Sequence, residues 1–389
     1  MATAPRTDLL WVGGYGDGAG HPTLAAYPVA DLLAGAMPEP VAALHPPDAS
    51  WAAFTPGGTA LHVVSETATG LVTSIDTAAA VSGAGDRAVL GRIQTGGAAP
   101  CHAAVSPDGR RLAVANYGDG VVTVLALGTD GHPTGDVATL SPTGSGPVRE
   151  RQRGPHAHQV IWLAGDRLLV PDLGADVLRV LALGPAAAGP DPGLREMATV
   201  PDVPGSGPRH AALLGRPGGN DAVLVLVEEL SAKLSWWEPT GGAGAAADPG
   251  TWAQGLRRRA GVPVLAGGGG QPSGVVVATG SAGTVVHVAV RGAGVVTTFA
   301  TGTDQSGPPE RLAETACGGS QPRSLIVSGG ILWVADQDAA VVGIELDPHT
   351  GIPQEAVVRL AFPDPAWLAV APPPDSADVP RASSRLQRG

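Results

Sequence analysis

A short phrase returns along this chain at steps of about fifty residues, and a chain that repeats itself in this way stacks equivalent units side by side. Each copy holds a proline, an apolar strand, a turn, a second apolar strand with a polar end, a Gly/Asp turn and a third strand. It reads PCHAAVSPDGRRLAVANYGDGVVTVLAL from Pro100 and PHAHQVIWLAGDRLLVPDLGADVLRVLAL from Pro155. Further copies open at Pro208, Pro272 and Pro322, and an earlier one at Ser50. The spacings between positions 50, 100, 155, 208, 272 and 322 are 50, 55, 53, 64 and 50 residues. Short strands at this period are the pattern of β-propeller blades.

The chain ends supply a further unit. Leu9 to Tyr15 and Thr23 to Val29 read as the second and third strands of a blade without a first, and Ala366 to Pro372 as a first strand without successors. Pairing them closes the ring and leaves no sheet edge open at the join. The expectation is an all-β, seven-bladed propeller over residues 1–372, with a disordered tail over 373–389. The long step carries a Gly, Ala and Pro tract from Gly241 to Gly270, read as a loop inserted at about 240–270. Near-continuous Val, Leu and Ala in the strands fits blades buried on both faces.

Composition narrows function. A net charge of −11, with no basic run longer than Arg257-Arg258-Arg259, opposes nucleic acid or an anionic membrane as partner. Two cysteines, Cys101 and Cys317, are too few for a disulfide framework or a thiolate metal site. The N-terminal residues lack an apolar leader and no stretch of about eighteen apolar residues could span a bilayer, so a cytoplasmic protein, with a monomer favoured, is expected.

In a propeller the innermost strands line the axis, and the loops entering them surround one mouth. The residues after the opening prolines, Cys101, His156, Arg209, Ser273 and Arg323, are read as one ring around that mouth. A second ring comes from the polar ends of the second strands: Tyr15, Glu66, Asn116, Asp172, Glu229, Arg291 and Gln337. Turns favour Gly, Asn, Asp or Ser, so His, Glu and Arg gathered there point to a pocket. Set against this, Arg209 and Arg323 could brace neighbouring blades, and His102 and His210 could satisfy backbone groups.

These phrases resemble the seven-bladed propeller lactonase family, which includes the propeller-type 6-phosphogluconolactonases and the 3-carboxy-cis,cis-muconate lactonizing enzymes. The matching text is PCH at Pro100, SPDGRRLAVANYGDG at Ser106, RQRGPHAH at Arg151, VPDLGAD at Val170, GSGPRH at Gly205, QPR at Gln321 and LDPHTGIP at Leu346. The resemblance implies His156, Arg209, Glu229 and Arg291 as catalytic residues. Substrate contacts are expected from His102, Asn116, His158, Asp172, Arg323 and Gln337. The text departs from the family at Glu228-Glu229-Leu230, Ala289-Val290-Arg291, Pro272-Ser273-Gly274 and Asp336-Gln337.

The chemistry expected is hydrolysis of a sugar lactone, most simply 6-phosphogluconolactone. His156 acts as general base, Glu229 orients it or shares its proton, and Arg209 faces the oxyanion. Arg291 and Arg323 hold the substrate's carboxylate or phosphate. Alternatives are a lactonizing cycloisomerase using the same residues, and a non-catalytic scaffold whose one exposed-looking aromatic pair is Trp236-Trp237. No cofactor and no metal is expected, although Glu66, Asp172 and Asp338 could in principle supply oxygen ligands. The arginine-rich set opposes a cation.

Overall fold

The computed structural model describes residues 8–163, 166–184, 193–215, 222–240, 249–301 and 309–371. Seven four-stranded antiparallel sheets follow one another around a ring. Numbering them from the innermost strand outward, blade 1 holds Ala49–Phe54, Ala60–Ser65, Leu71–Asp76 and Val89–Gln94. Blade 2 begins at Pro100–Val105, blade 3 at Ile161–Trp162, blade 4 at Pro208–Leu214, blade 5 at Gln271–Gly280 and blade 6 at Pro322–Ser328. Blade 7 joins Pro365–Ala371 from the C-terminal side to Leu9–Gly14, Leu24–Pro28 and Ala42–Leu44. The terminal strands pair from Leu9 with Ala371 to Gly14 with Pro365, which closes the ring as expected.

The core lies between blades, not inside any one of them. Seven apolar clusters each join two neighbours: Trp11 and Leu24 of blade 7 meet Leu61 and Ile75 of blade 1, and Val225 and Trp236 of blade 4 meet Val286 and Phe299 of blade 5. Side chains alternate across a strand, so adjacent residues feed opposite interfaces. Trp236 packs toward blade 5 and Trp237 toward blade 3, and both are 1 % exposed. The pair expected to be partly exposed is therefore buried throughout, because each face of a blade is an interface. Fully burying one side chain such as Phe299 stabilises the ring by about 1.5–3 kcal/mol.

Two further expectations are corrected. The Gly/Ala/Pro tract contains the short helix Pro249–Gln254 and the outer strand Leu256–Pro263 of blade 4, with Trp252 and Ala253 packed into the blade 3–blade 4 cluster. Apolar anchors and an alternating strand are hidden there among small residues. In addition, the PHAH phrase does not open a regular strand: only an isolated bridge, Ala157 to Asp172, precedes Ile161–Trp162. The expected disordered tail over 373–389 lies outside the described residues. No helix among the described residues is long and apolar enough to cross a membrane.

Candidate active site

Adjacent innermost strands contact one another around the axis. All but that of blade 3 carry an irregularity near the start. In blade 2, Pro100 pairs with Asn116 but His102 with Ala115, so Cys101 is the extra residue of a bulge. The same shift releases Ser50 in blade 1 and Arg323 in blade 6, and wider ones release Arg209 in blade 4 and Ser273 in blade 5. A bulge re-aims a side chain out of the ladder. Ser50 and Ser273 use this to bond the first residue of the next blade, at the carbonyls of Pro100 and Pro322. Cys101 makes the equivalent contact to the carbonyl of Ala157. Blade 3 therefore aligns Ala157 with the opening prolines, and His158, not His156, stands in the ring with Cys101, Arg209 and Arg323.

The second ring shifts as well. The opening residues pair with Ser65, Asn116, Asp172, Glu228, Val290 and Asp336. The residues that follow these are Glu66, Tyr117, Leu173, Glu229, Arg291 and Gln337. Asn116 and Asp172 belong one position earlier, where side chains turn into the blade. Asn116 is fully buried and binds Thr95 Oγ1, Thr123 Oγ1 and the Val121 carbonyl. Asp172 is fully buried too, accepting from the backbone N–H groups of His156, Gly174 and Ala175 and from Arg179 Nε at 2.8 Å. Both expected substrate contacts are braces within the fold. Gln337 is half-buried at its ring position.

Glu229 is the centre of the site. Its Oε2 accepts from Arg209 Nε at 2.8 Å and Arg291 Nη2 at 2.6 Å, and its Oε1 from Arg151 Nη2 at 2.7 Å. Burial alone would raise this carboxyl, but Arg209 and Arg291 pull it down to about 2. It stays ionised and is fully engaged, so it orders the guanidinium groups and does not exchange protons with a histidine. Burial and the nearby Arg291 lower Arg209 to about 10, which still leaves it charged at neutral pH. Arg209 Nη1 and Arg291 Nε have no acceptor among the described residues.

His156 lies beside this cluster. Its Nδ1 is 2.6 Å from the Tyr117 carbonyl, and its ring stacks on the Tyr117 ring with centroids 4.6 Å apart. A carbonyl only accepts, so Nδ1 carries a proton, and Nε2 is the ring atom whose lone pair is bare in the corresponding neutral tautomer. Tyr117 in turn accepts from Arg151 Nη2 at 3.1 Å. His156 is thereby linked to Glu229 through Tyr117 and Arg151, two residues missing from the expected set. Both stand in the resembling text, NYGDG and RQRGPHAH, and a one-residue shift in the second ring would have found Tyr117.

Across the mouth, Glu66 Oε2 accepts from Tyr15 O–H at 2.5 Å and from Arg323 Nη2 at 3.2 Å, and the Arg323 guanidinium lies 5.1 Å from the centre of the Tyr15 ring. Burial, countered in part by Arg323, keeps the Tyr15 phenol protonated far above its ordinary range. Arg323 faces a carboxylate, as expected of a brace, and still stands at the ring position of Arg209. The next residues along the inner strands form a layer of rings: His102 stacks on Trp51 at 4.3 Å, and His210 meets His102 and His158 edge-on at 5.5 and 5.2 Å. Burial first, then Arg209, holds His102 down at about 3 and His158 and His210 well below the usual range. These three are neutral packing groups. His102 accepts from the Val160 N–H, and Cys101 Sγ lies 3.6 Å from His158 Nδ1. Among the described residues, no three His, Cys, Asp or Glu side chains are grouped to hold a metal ion.

The fold and the site together define a seven-bladed propeller that gathers arginine, glutamate and histidine side chains at one mouth. The chain belongs to the seven-bladed β-propeller lactonase family, whose sequence pattern matches residues 10–370. It is 35 % identical over 117 residues to a 6-phosphogluconolactonase of Bacillus subtilis and 30 % identical over 155 residues to one of Formosa agariphila. Those matches take in 30 and 40 % of this chain and 32 and 42 % of the relatives' lengths. The periplasmic gluconolactonase of Pseudomonas aeruginosa superposes with a TM-score of 0.77 at 26 % identity, over 94 % of this chain and 99 % of its own.

Proposed function

We propose that this protein hydrolyses a sugar lactone carrying an anionic group, with 6-phosphogluconolactone the first substrate to test. The observation that carries this is the charge at the mouth. Among the described residues, four arginines (Arg151, Arg209, Arg291 and Arg323) pair with two carboxylates, Glu66 and Glu229, in a protein of net charge −11. Positive charge concentrated on one mouth of an acidic protein attracts an anion locally. The part-exposed guanidinium groups of Arg291 and Arg323 can then bind it with charge-assisted hydrogen bonds.

His156 Nε2 takes a proton from water as its oxygen attacks the lactone carbonyl, an assistance worth roughly 10²–10⁴-fold. Arg209 faces the oxyanion that develops, where a fixed donor contributes about 3–4 kcal/mol. Glu229 keeps the guanidinium groups in register, so none has to reorganise when charge appears. Arg291 and Arg323 hold the substrate's anionic group. The test is a panel of phosphorylated and unphosphorylated sugar lactones with acid release followed at constant pH. Preference for a phosphorylated lactone, lost in Arg291→Met and Arg323→Met, is expected. Hydrolysis of none of them overturns the reading.

A further inference from the structure

We propose that Tyr117 is a further catalytic residue of this site: it donates the proton taken up by the ring oxygen that leaves when the lactone opens. The assignment rests on the lactonase reading above. Tyr117 occupies blade 2's place in the ring that supplies Glu229 from blade 4 and Arg291 from blade 5. It is half-buried, and its neighbour Arg151 is 36 % exposed, so the pair borders the opening.

Three contacts define what its hydroxyl can do. The Arg151 guanidinium has donors only, so at 3.1 Å the phenol oxygen accepts and its own hydrogen remains free. No acceptor for that hydrogen is found among the described residues. The phenol ring stacks on His156 at 4.6 Å and meets His158 edge-on at 5.3 Å, which fixes its plane. The Tyr117 carbonyl holds His156 Nδ1, so one residue orients the base through its backbone and offers an acid through its side chain. Arg151 places a positive charge beside an oxygen that gives up a proton, and Glu229 anchors Arg151.

Ring opening needs both functions. Water forms the new C–O bond at the carbonyl carbon while His156 Nε2 takes one of its protons. The ring C–O bond then breaks, its electron pair remains on the leaving oxygen, and that oxygen takes the Tyr117 proton. The imidazolium proton returns to the phenolate through solvent, restoring both rings. One water is consumed, and the product acid releases its proton at neutral pH.

Tyr117→Phe keeps the stacked ring and the backbone carbonyl and removes only the hydroxyl. On the best sugar lactone of the wild type, kcat is expected to fall about 10²-fold with KM changed less than about 3-fold. On the matching thiolactone, whose leaving thiolate needs little protonation, the loss is expected to be under about 3-fold. Equal losses on the two substrates, or no loss on the oxygen lactone, overturn the role of Tyr117 and leave the lactonase reading standing. A wild-type protein that opens no lactone overturns both.

Discussion

Arg209 Nε meets Glu229 Oε2 at 2.8 Å with each side chain only 3 % exposed, and Arg291 reaches the same oxygen at 2.6 Å. One buried carboxylate therefore holds two cations within hydrogen-bond distance of each other's partner, with Arg151 on its second oxygen. Removing that charge leaves buried guanidinium groups without a counterion. Glu229→Gln is expected to cost about 3–5 kcal/mol of stability, measured as a shift in urea unfolding. An unchanged midpoint would mean that Glu229 does not organise the mouth.

His156 stands at the edge of this cluster, half-buried, with its ring held only by the Tyr117 carbonyl and stacking. His156→Ala is expected to lower kcat by roughly 10²–10⁴-fold with little change in thermal midpoint. Full activity in that variant would remove it from the reaction.

Asp172 has the opposite profile. It binds three backbone N–H groups and Arg179, whose side chain is 3 % exposed, so it belongs to the frame beneath His156. Asp172→Ala should destabilise the fold by about 3–5 kcal/mol and leave the substrate preference of whatever protein folds unaltered. A stable variant with a raised KM would return Asp172 to the substrate.

Gly174 allows the chain to pass close behind the same histidine. A Cβ there would run into the Gly154 carbonyl and come within 2.8 Å of the His156 backbone nitrogen and Cδ2. Gly174→Ala is expected to lower kcat and the thermal midpoint together, because the loop carrying His156 must move. Wild-type kinetics in this variant would show that the loop position is not critical.

Buried histidines make the fold sensitive to acid. Burial holds His102 at about 3 and His62 and His287 at about 4, against 6.5 for an open histidine. Below 6.5 the unfolded chain binds protons that the folded chain refuses. Stability is therefore complete above that value and falls as pH drops toward 4, by up to about 1.4 kcal/mol per histidine per pH unit. Calorimetry across this range should show a falling midpoint, and a flat profile would contradict the neutral state of these rings. Glu229, held at about 2 by its arginines, adds a further loss once pH passes below its unfolded value of 4.5.

The local sequence was informative where a residue type repeats with the blade. Pro100, Pro208, Pro272 and Pro322 marked innermost strands, and Arg209, Glu229 and Arg291 were legible as charges where turns call for small residues. Asn116, Asp172 and His156 were misplaced in the rings for a common reason. A strand alternates with period two, and one extra residue in a bulge exchanges the two faces without altering the composition around it. Tyr117 was passed over for its neighbour Asn116 on this account. Arg151 comes from a loop between blades, and its path to Glu229, 78 positions along the chain, depends on how blades 3 and 4 pack.

Repetition of a fifty-residue apolar phrase, with half a copy at each end, was by itself enough to determine seven blades and their closure, because only a ring lets every strand bury both faces. Which side chains enter the mouth was decided by the folded ring. The bulges after the opening residues and the contacts between blades turn Arg209, His158 and Tyr117 toward the axis and Asn116 and Asp172 away from it. Those rotations arise from pairing between strands far apart in the chain, and no local run of residues encodes them.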